Sequence, residues 1–181
     1  MRSIAAIFIL VAAFFVSCNN AAKEEANAND TVLLTVAVFD TTAYNYVDKP
    51  VWIEGTVTHT CKHGGKRMFI ADGNDSILVE VTTGPDIVKF DEALVGSRVK
   101  VLGMLRELRI DDKYLNEWEA ELKQPVENHE TGVHTGAKGH EDQPVDAKFE
   151  QINAYREQIK ASGSDHLSFY SVEAVTYQEV K

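Results

Sequence analysis

Cysteine is scarce in this sequence, and no common enzyme motif accompanies it. The 181 residues contain two cysteines, Cys18 and Cys61. The patterns G-x-S-x-G, H-E-x-x-H and C-x-x-C are absent, as is the glycine pattern of dinucleotide-binding sites. The sequence therefore favours a non-enzymatic module over an enzyme of any of these classes.

The chain also lacks an apolar run long enough to cross a membrane. Its longest run, Ile4 to Val16, is shorter than the roughly 20 residues that a membrane-spanning helix needs. Residues 1–17 are instead typical of a secretory signal. The end of this segment, Phe15-Val16-Ser17-Cys18, resembles a bacterial lipobox. We expect Cys18 to become the acylated first residue of a lipoprotein, and Asn19 after it favours the outer membrane. An ordinary signal peptide with an unmodified Cys18 is the alternative.

Basic residues are the minority among the charges. There are 18 lysines and arginines against 28 acidic residues, which gives a formal net charge of −10. Such a surface repels a phosphate backbone, so nucleic acid is not an expected partner. Residues 18–30 are small and polar and predict a flexible tether. Residues 31–181 have a length that suits a single domain.

Apolar periodicity in this domain predicts a mainly β fold with helices. Period-2 alternation and turn residues predict strands at 51–63, 66–71, 76–82, 98–108 and 167–180. Helical spacing predicts helices at 86–94, 111–123 and 146–161. This order predicts an OB-like five-stranded barrel plus a C-terminal helix and strand. We favour the C-terminal strand as the fifth barrel strand over an extension at 107–110. Residues 126–143 then form a His-rich loop inserted before it.

One motif, His59 to His63, contains the residues best suited to bind a metal or to react. Period 2 along the first strand places His59, Cys61 and His63 on the face that Val57 also occupies. Neighbouring members of this set lie about 7 Å apart, so two of them can reach one ion, but all three span about 13 Å. Thiolate and imidazole are ligands suited to zinc or copper, and they also bind haem. The alternatives are residues that only pack at the barrel mouth, or a reactive thiol at Cys61.

Basic residues and glycines surround this motif. Lys62, Lys66 and Arg67 would stabilise a thiolate at Cys61. Together with the backbone amides of Gly64 and Gly65, they form a candidate anion-binding turn. A turn with solvated charges is the simpler interpretation.

Three more histidines lie in the predicted 126–143 loop. His129, His134 and His140 are five and six residues apart, which matches no fixed metal motif. A His-rich loop can hold zinc, copper or nickel loosely. A solvated loop without metal is the alternative.

Residues 48–122 resemble an uncharacterised family of OB-fold lipoproteins in Bacteroidetes-type bacteria. The resemblance rests on four motifs: V-x-I-E-G-T-V at 51–57, H-x-C-K-x-G-G-K-R-M-F at 59–69, V-x-V-x-G at 99–103 and R-I-D-D-x-Y-L-N-E-W at 109–118. It implies an OB fold and an envelope location, and it implies no activity. Related domains have a second cysteine directly after the glycine, where this chain has Lys66.

These features together predict a membrane-anchored envelope lipoprotein with a non-enzymatic OB-fold binding module. Its expected partners are the lipid bilayer, through acylated Cys18, and an envelope protein. The site near Cys61 is expected to hold a transition metal or haem. The alternatives are a thiol-dependent redox or transfer enzyme that uses Cys61, and a scaffold without a ligand site. The sequence leaves open which face of the outer membrane the domain occupies.

Overall fold

In the residues that the computed structural model describes, six β-strands and three α-helices make up the fold. The structure describes residues 31–62, 64–73, 77–124 and 144–180. The strands are β1 (Val32–Thr35), β2 (Pro50–Thr60), β3 (Arg67–Ala71), β4 (Val79–Thr83), β5 (Arg98–Asp111) and β6 (His166–Glu179). The α-helices are α1 (Phe39–Thr42), α2 (Asp112–Leu122) and α3 (Val145–Ser162). Short 3₁₀ helices are found at Val36–Val38, Ala43–Tyr46 and Glu92–Leu94.

Five of the strands close into a barrel. The sheet order is β1-β2-β3-β4-β6-β5, and a further pairing between β2 and β5 closes the ring. Within the ring β4 and β6 are parallel, and the other neighbours are antiparallel. This is the strand order of an OB-like barrel, as predicted. The C-terminal strand β6 is the fifth barrel strand, so the preference for it is confirmed.

Inward-facing residues alternate along the barrel strands and form one core. Along β2, for example, Val51, Ile53 and Val57 are buried while Trp52 and Glu54 are only half-buried. Equivalent alternation on the other strands brings branched aliphatic side chains together at the centre. Burial of these side chains is the main force that holds the barrel closed.

A second core lies outside the barrel, between α2, α3 and the extended end of the β5–β6 ribbon. It consists of Ile110, Leu115, Trp118, Ile152, Tyr155 and Ile159. The predicted start of α2 is confirmed, because the Asp111 carboxylate accepts a hydrogen bond from the Tyr114 N–H at 2.8 Å. The predicted end of α3 is also confirmed, since Gly163 has the left-handed φ of +70° that commonly terminates a helix.

The helix predicted at 86–94 is wrong apart from its last residues. Only Glu92–Leu94 form one 3₁₀ turn, which Asp91 caps by accepting a hydrogen bond from the Ala93 N–H. The preceding residues bond to the barrel instead of to each other, since the Phe90 N–H donates to the Gly65 carbonyl at 2.8 Å. Phe90 is buried and packs on the barrel core without a helix.

Strand β1 is an addition to the five-stranded ring. It runs parallel to β2, with Val32 opposite Val51 and Leu34 opposite Ile53. Leu34 joins the barrel core, so this strand packs on the domain. The signal segment and tether predicted for residues 1–30, and the His-rich loop predicted for 126–143, lie outside the described residues. The described helices include none that is both long and apolar enough to cross a membrane.

Candidate functional site at the end of strand β2

An irregularity in β2 decides which way the motif residues face. The β2–β3 register shifts between Val57, which lies opposite Ile70, and His59, which lies opposite Phe69. After this β-bulge Thr60 is the inward residue, with 3% of its surface exposed. His59 is exposed and lies on the outer face of the barrel. The prediction that it shares the face of Val57 is therefore wrong, because one extra residue in a bulge reverses the alternation of a strand.

The same alternation keeps His59 and Cys61 on one face. Cys61 follows the last residue of β2, and its N–H donates to the Arg67 carbonyl at 2.8 Å, which continues the pairing with β3. His59 and Cys61 thus flank the buried Thr60 and lie on the outer side, about 7 Å apart along the strand. Cys61 is half-buried.

An aromatic contact fixes the position of the histidine. The His59 ring stacks on Phe69 of β3, with centroids 6.0 Å apart and planes at 28°. The hydroxyl of Thr58 donates to the Phe69 carbonyl at 3.2 Å and stabilises the bulge. The ring is thereby held against the barrel while its edge remains accessible to a ligand.

The glycine turn after Cys61 brings β3 back beside β2. The Gly65 N–H donates to the Cys61 carbonyl at 3.0 Å, and Gly64 and Gly65 have positive φ values of 84° and 63°. His63, the third residue of the motif, lies outside the described residues. The structure therefore describes two of the three predicted ligands, His59 and Cys61, at positions two residues apart at the end of β2.

Two of the three neighbouring cations have partners within the domain. The Lys66 ammonium donates to the Val88 carbonyl at 2.7 Å, and the Arg67 guanidinium lies 3.8 Å from the Glu80 carboxylate. Lys62 is exposed. Lys66 thus hydrogen-bonds to the loop before β5, and Arg67 forms an ion pair with a residue of β4. Anion binding by this turn stays a prediction.

The described part of the chain does not complete a metal centre by itself. Within residues 31–62, 64–73, 77–124 and 144–180, no group of three or more His, Cys, Asp or Glu side chains is placed to hold one ion. His129, His134 and His140 lie outside the described residues, so their part in metal capture stays a prediction.

Sequence reasoning missed a shallow cavity of about 200 Å³ on the side of the barrel. It is lined by Leu33, Leu34, Thr35, Glu54, Asp72 and Arg98. The Arg98 Nε lies 2.8 Å from Glu54, and that hydrogen bond is the main reason why the pKa of Arg98 is raised. The lining residues come from four separate segments, so no local pattern could have predicted the cavity.

Comparisons with known proteins do not assign the chain to a family. No family model matches the chain, and no curated protein matches it. Among solved structures, the chain is similar to a putative aspartyl-tRNA synthetase from Leishmania major Friedlin, with 14% identity and a TM-score of 0.40. The match covers 88% of this chain and 22% of that one. The fold class follows from the strand order of the structure itself: this is a mainly β protein with an OB-like barrel.

Proposed function

We propose that this protein is a lipoprotein of the bacterial outer membrane, anchored through an acylated Cys18. The support is the sequence of residues 1–18, in which a short apolar segment leads directly to the lipobox-like Phe15-Val16-Ser17-Cys18. Each acyl chain adds about 0.8 kcal/mol of membrane affinity per buried CH₂, so two or more chains hold a protein stably.

The barrel is proposed to act as a non-enzymatic binding module in the envelope. One observation supports its site: the imidazole of His59 and the thiol of Cys61 lie on the same outer face at the end of β2. We propose that they bind a transition metal, zinc or copper, or the iron of a haem. His63 is the nearest residue along the chain that could complete the ligand set.

Metal analysis and a visible absorption spectrum test this proposal. The chain from residue 18 is incubated with zinc, copper(I) or haemin at micromolar concentration and then freed of unbound ligand. We expect one equivalent bound by the parent chain, and about a tenfold or greater loss of affinity in Cys61→Ser and in His59→Ala.

The matched control is His166→Ala. His166 lies at the far end of the β5–β6 ribbon, where its Nδ1 is 2.5 Å from Asp165. We expect this variant to bind like the parent chain. Absence of metal and haem from the parent chain would overturn the proposal. Rapid alkylation of Cys61 in such a ligand-free chain would then support the thiol-dependent enzyme.

A further inference from the structure

The shallow cavity on the side of the barrel lies where two strands end on the same edge of β2. Thr35, the last residue of β1, lies opposite Glu54. Ala71, the last residue of β3, lies opposite Thr56. Gly55 is the single residue of β2 between these two pairings. The ends of β1 and β3 therefore meet beside Gly55, and the cavity forms at this junction.

An arginine from β5 lies between two carboxylates at the cavity. Glu54 points outward, because it alternates with the buried Ile53 along β2. The Arg98 Nε donates to the Glu54 carboxylate at 2.8 Å. The Arg98 Nη1 lies 3.8 Å from the carboxylate of Asp72, the residue that follows β3. The three charged side chains thus come from three separate segments and converge on one cavity.

The contact between Arg98 and Asp72 is too long for a hydrogen bond. Such bonds have N···O distances of about 2.7–3.2 Å, whereas these atoms are 3.8 Å apart. Arg106, on the same strand, has a closed version of this arrangement, with its Nε 2.8 Å from Glu173 and its Nη1 2.7 Å from Asp48. Arg98 and Asp72 can therefore both bond to one further atom placed beside them.

A hydroxyl group matches this pair of side chains. It can accept a hydrogen bond from a guanidinium N–H and donate one to a carboxylate oxygen at the same time. Hydrogen bonds to ionised groups are stronger than those between neutral groups. Thr35 adds a hydroxyl of its own to the lining, and Leu33 adds an apolar side chain that is 51% exposed. The cavity thus offers contacts to both the hydroxyl and the C–H groups of a ligand.

The charges at the cavity disfavour ionic ligands. Glu54 and Asp72 repel an anion at short range, and the formal net charge of −10 adds to that repulsion. A cation is attracted by the two carboxylates, but Arg98 already occupies the position between them. A neutral ligand that carries several hydroxyl groups avoids both costs.

We propose that this cavity binds a neutral saccharide, with one hydroxyl of the sugar bridging Arg98 and Asp72. The cavity volume is about 200 Å³. This is below the roughly 300–1,000 Å³ of sites for drug-sized ligands, so it suits a single sugar ring. The carbon face of the ring packs on Leu33. The inference is independent of the proposed metal or haem site, since Glu54 lies five residues before His59 on β2.

Methyl glycosides of glucose, galactose, mannose and N-acetylglucosamine are the probes. The chain from residue 18 is isotopically labelled and titrated with each glycoside, and its amide signals are followed by NMR. We expect at least one glycoside to bind with a Kd of about 10 mM or less. It should shift the amide signals of Leu33, Thr35 and Arg98, and leave those of α3 in place.

Charged analogues of the same size test the class of ligand. The uronic acid and the protonated amino sugar that correspond to the bound glycoside are titrated in the same way. We expect each to bind about tenfold more weakly or worse, because each meets a like charge at the cavity. Tighter binding of either analogue would overturn the assignment to a neutral sugar.

Substitutions of the bridging pair test its role. Arg98→Gln and Asp72→Ala replace side chains that are 46% and 44% exposed, so the fold does not depend on their burial. We expect each to weaken binding by about tenfold or more, since each removes a hydrogen bond to a charged group. Arg106→Gln is the matched control, because Arg106 is 45% exposed and paired with two carboxylates but lies outside the cavity. It should bind like the parent chain.

The outcomes decide the inference without reference to the metal or haem site. A parent chain that binds none of the four neutral glycosides overturns it. Binding that persists in both Arg98→Gln and Asp72→Ala also overturns it, since the sugar would then lie elsewhere. Circular dichroism verifies that each variant folds. Cys61→Ser should bind the sugar like the parent chain, so loss of metal or haem binding leaves this test unaffected.

Discussion

His59 stacks on Phe69 across the β2–β3 pair, with ring centroids 6.0 Å apart. This contact depends on the bulge that precedes His59, where the register shifts by one residue. The bulge directs His59 outward together with Cys61, and it turns Thr60 into the barrel. The candidate site is therefore a product of a single irregularity in one strand.

The bulge predicts an unusual tolerance to deletion. Removal of Thr58 leaves Val57 and His59 in their present pairing with Ile70 and Phe69, so every later side chain keeps its orientation. We expect a loss of about 1–3 kcal/mol in the free energy of unfolding, measured by urea denaturation. Ligand binding should persist.

Deletion of Glu54 is the matched comparison in a regular part of β2. Glu54 pairs with Lys100 without a bulge, so its removal reverses the orientation of the residues on one side of it. We expect this variant not to fold. A Thr58 deletion that is equally disruptive would contradict the role assigned to the bulge.

The close approach of β5 and β6 predicts a strict requirement for glycine at position 103. A Cβ there would lie 2.5 Å from the Glu173 carbonyl oxygen and 2.5 Å from a Val172 methyl carbon. We expect Gly103→Ala to destabilise the barrel by about 1–3 kcal/mol or more in urea denaturation, because backbone atoms must move apart. Gly73→Ala is the opposite case, since nothing lies within 4 Å of the added carbon and the cost comes from its φ of +64°. A Gly103→Ala variant as stable as the parent chain would show that the crowding at Gly103 has no effect.

The existence of a second core predicts that α2 and α3 can unfold locally while the barrel remains folded. Ile152 is fully buried among Leu115, Trp118 and neighbouring side chains of that core. We expect Ile152→Ala to cost about 2–5 kcal/mol and to speed hydrogen exchange in α2 and α3. Exchange in β2 and β3 should remain slow. Gln158→Ala, at an exposed position of the same helix, is the control, and faster exchange throughout the barrel would contradict separate cores.

The contact between α2 and α3 predicts a pH-dependent stability. Hydrogen bonds from Lys123 and Arg156 lower the pKa of Glu119 in the folded state. A carboxylate with a depressed pKa stabilises the fold above its unfolded pKa of about 4.3, and this contribution is lost as pH falls through the folded pKa. We expect Glu119→Gln to lower the Tm at pH 7 and to converge with the parent chain once the pH has fallen below the depressed folded pKa of Glu119.

Thermal melts followed by circular dichroism between pH 7 and pH 3 measure this effect. Glu117→Gln is the control on the same helix, since Glu117 lies 3.8 Å from Lys113 and is exposed. A deficit for Glu119→Gln that stays constant down to pH 3 would show that the cause is packing rather than charge.

The ends of α2 and α3 and most of the strands could be predicted from short-range signals in the sequence. Asp111 begins α2 and Gly163 ends α3, because a capping carboxylate and a left-handed residue act within one turn of the helix. The segment around Phe90 shows the opposite case. Its apolar spacing fits a helix, but hydrogen bonds to Gly65 and from Lys66 give its backbone partners elsewhere.

Alternation of apolar residues in the sequence by itself determined the five barrel strands and their OB-like order, because period 2 and turn residues act locally. The sequence also indicated His59 and Cys61 as candidate ligands. Only the tertiary structure decided which face these residues occupy and where β1 pairs. Those features depend on hydrogen bonds between strands far apart in sequence, and a bulge shifts that pairing without changing the apolar pattern that precedes it.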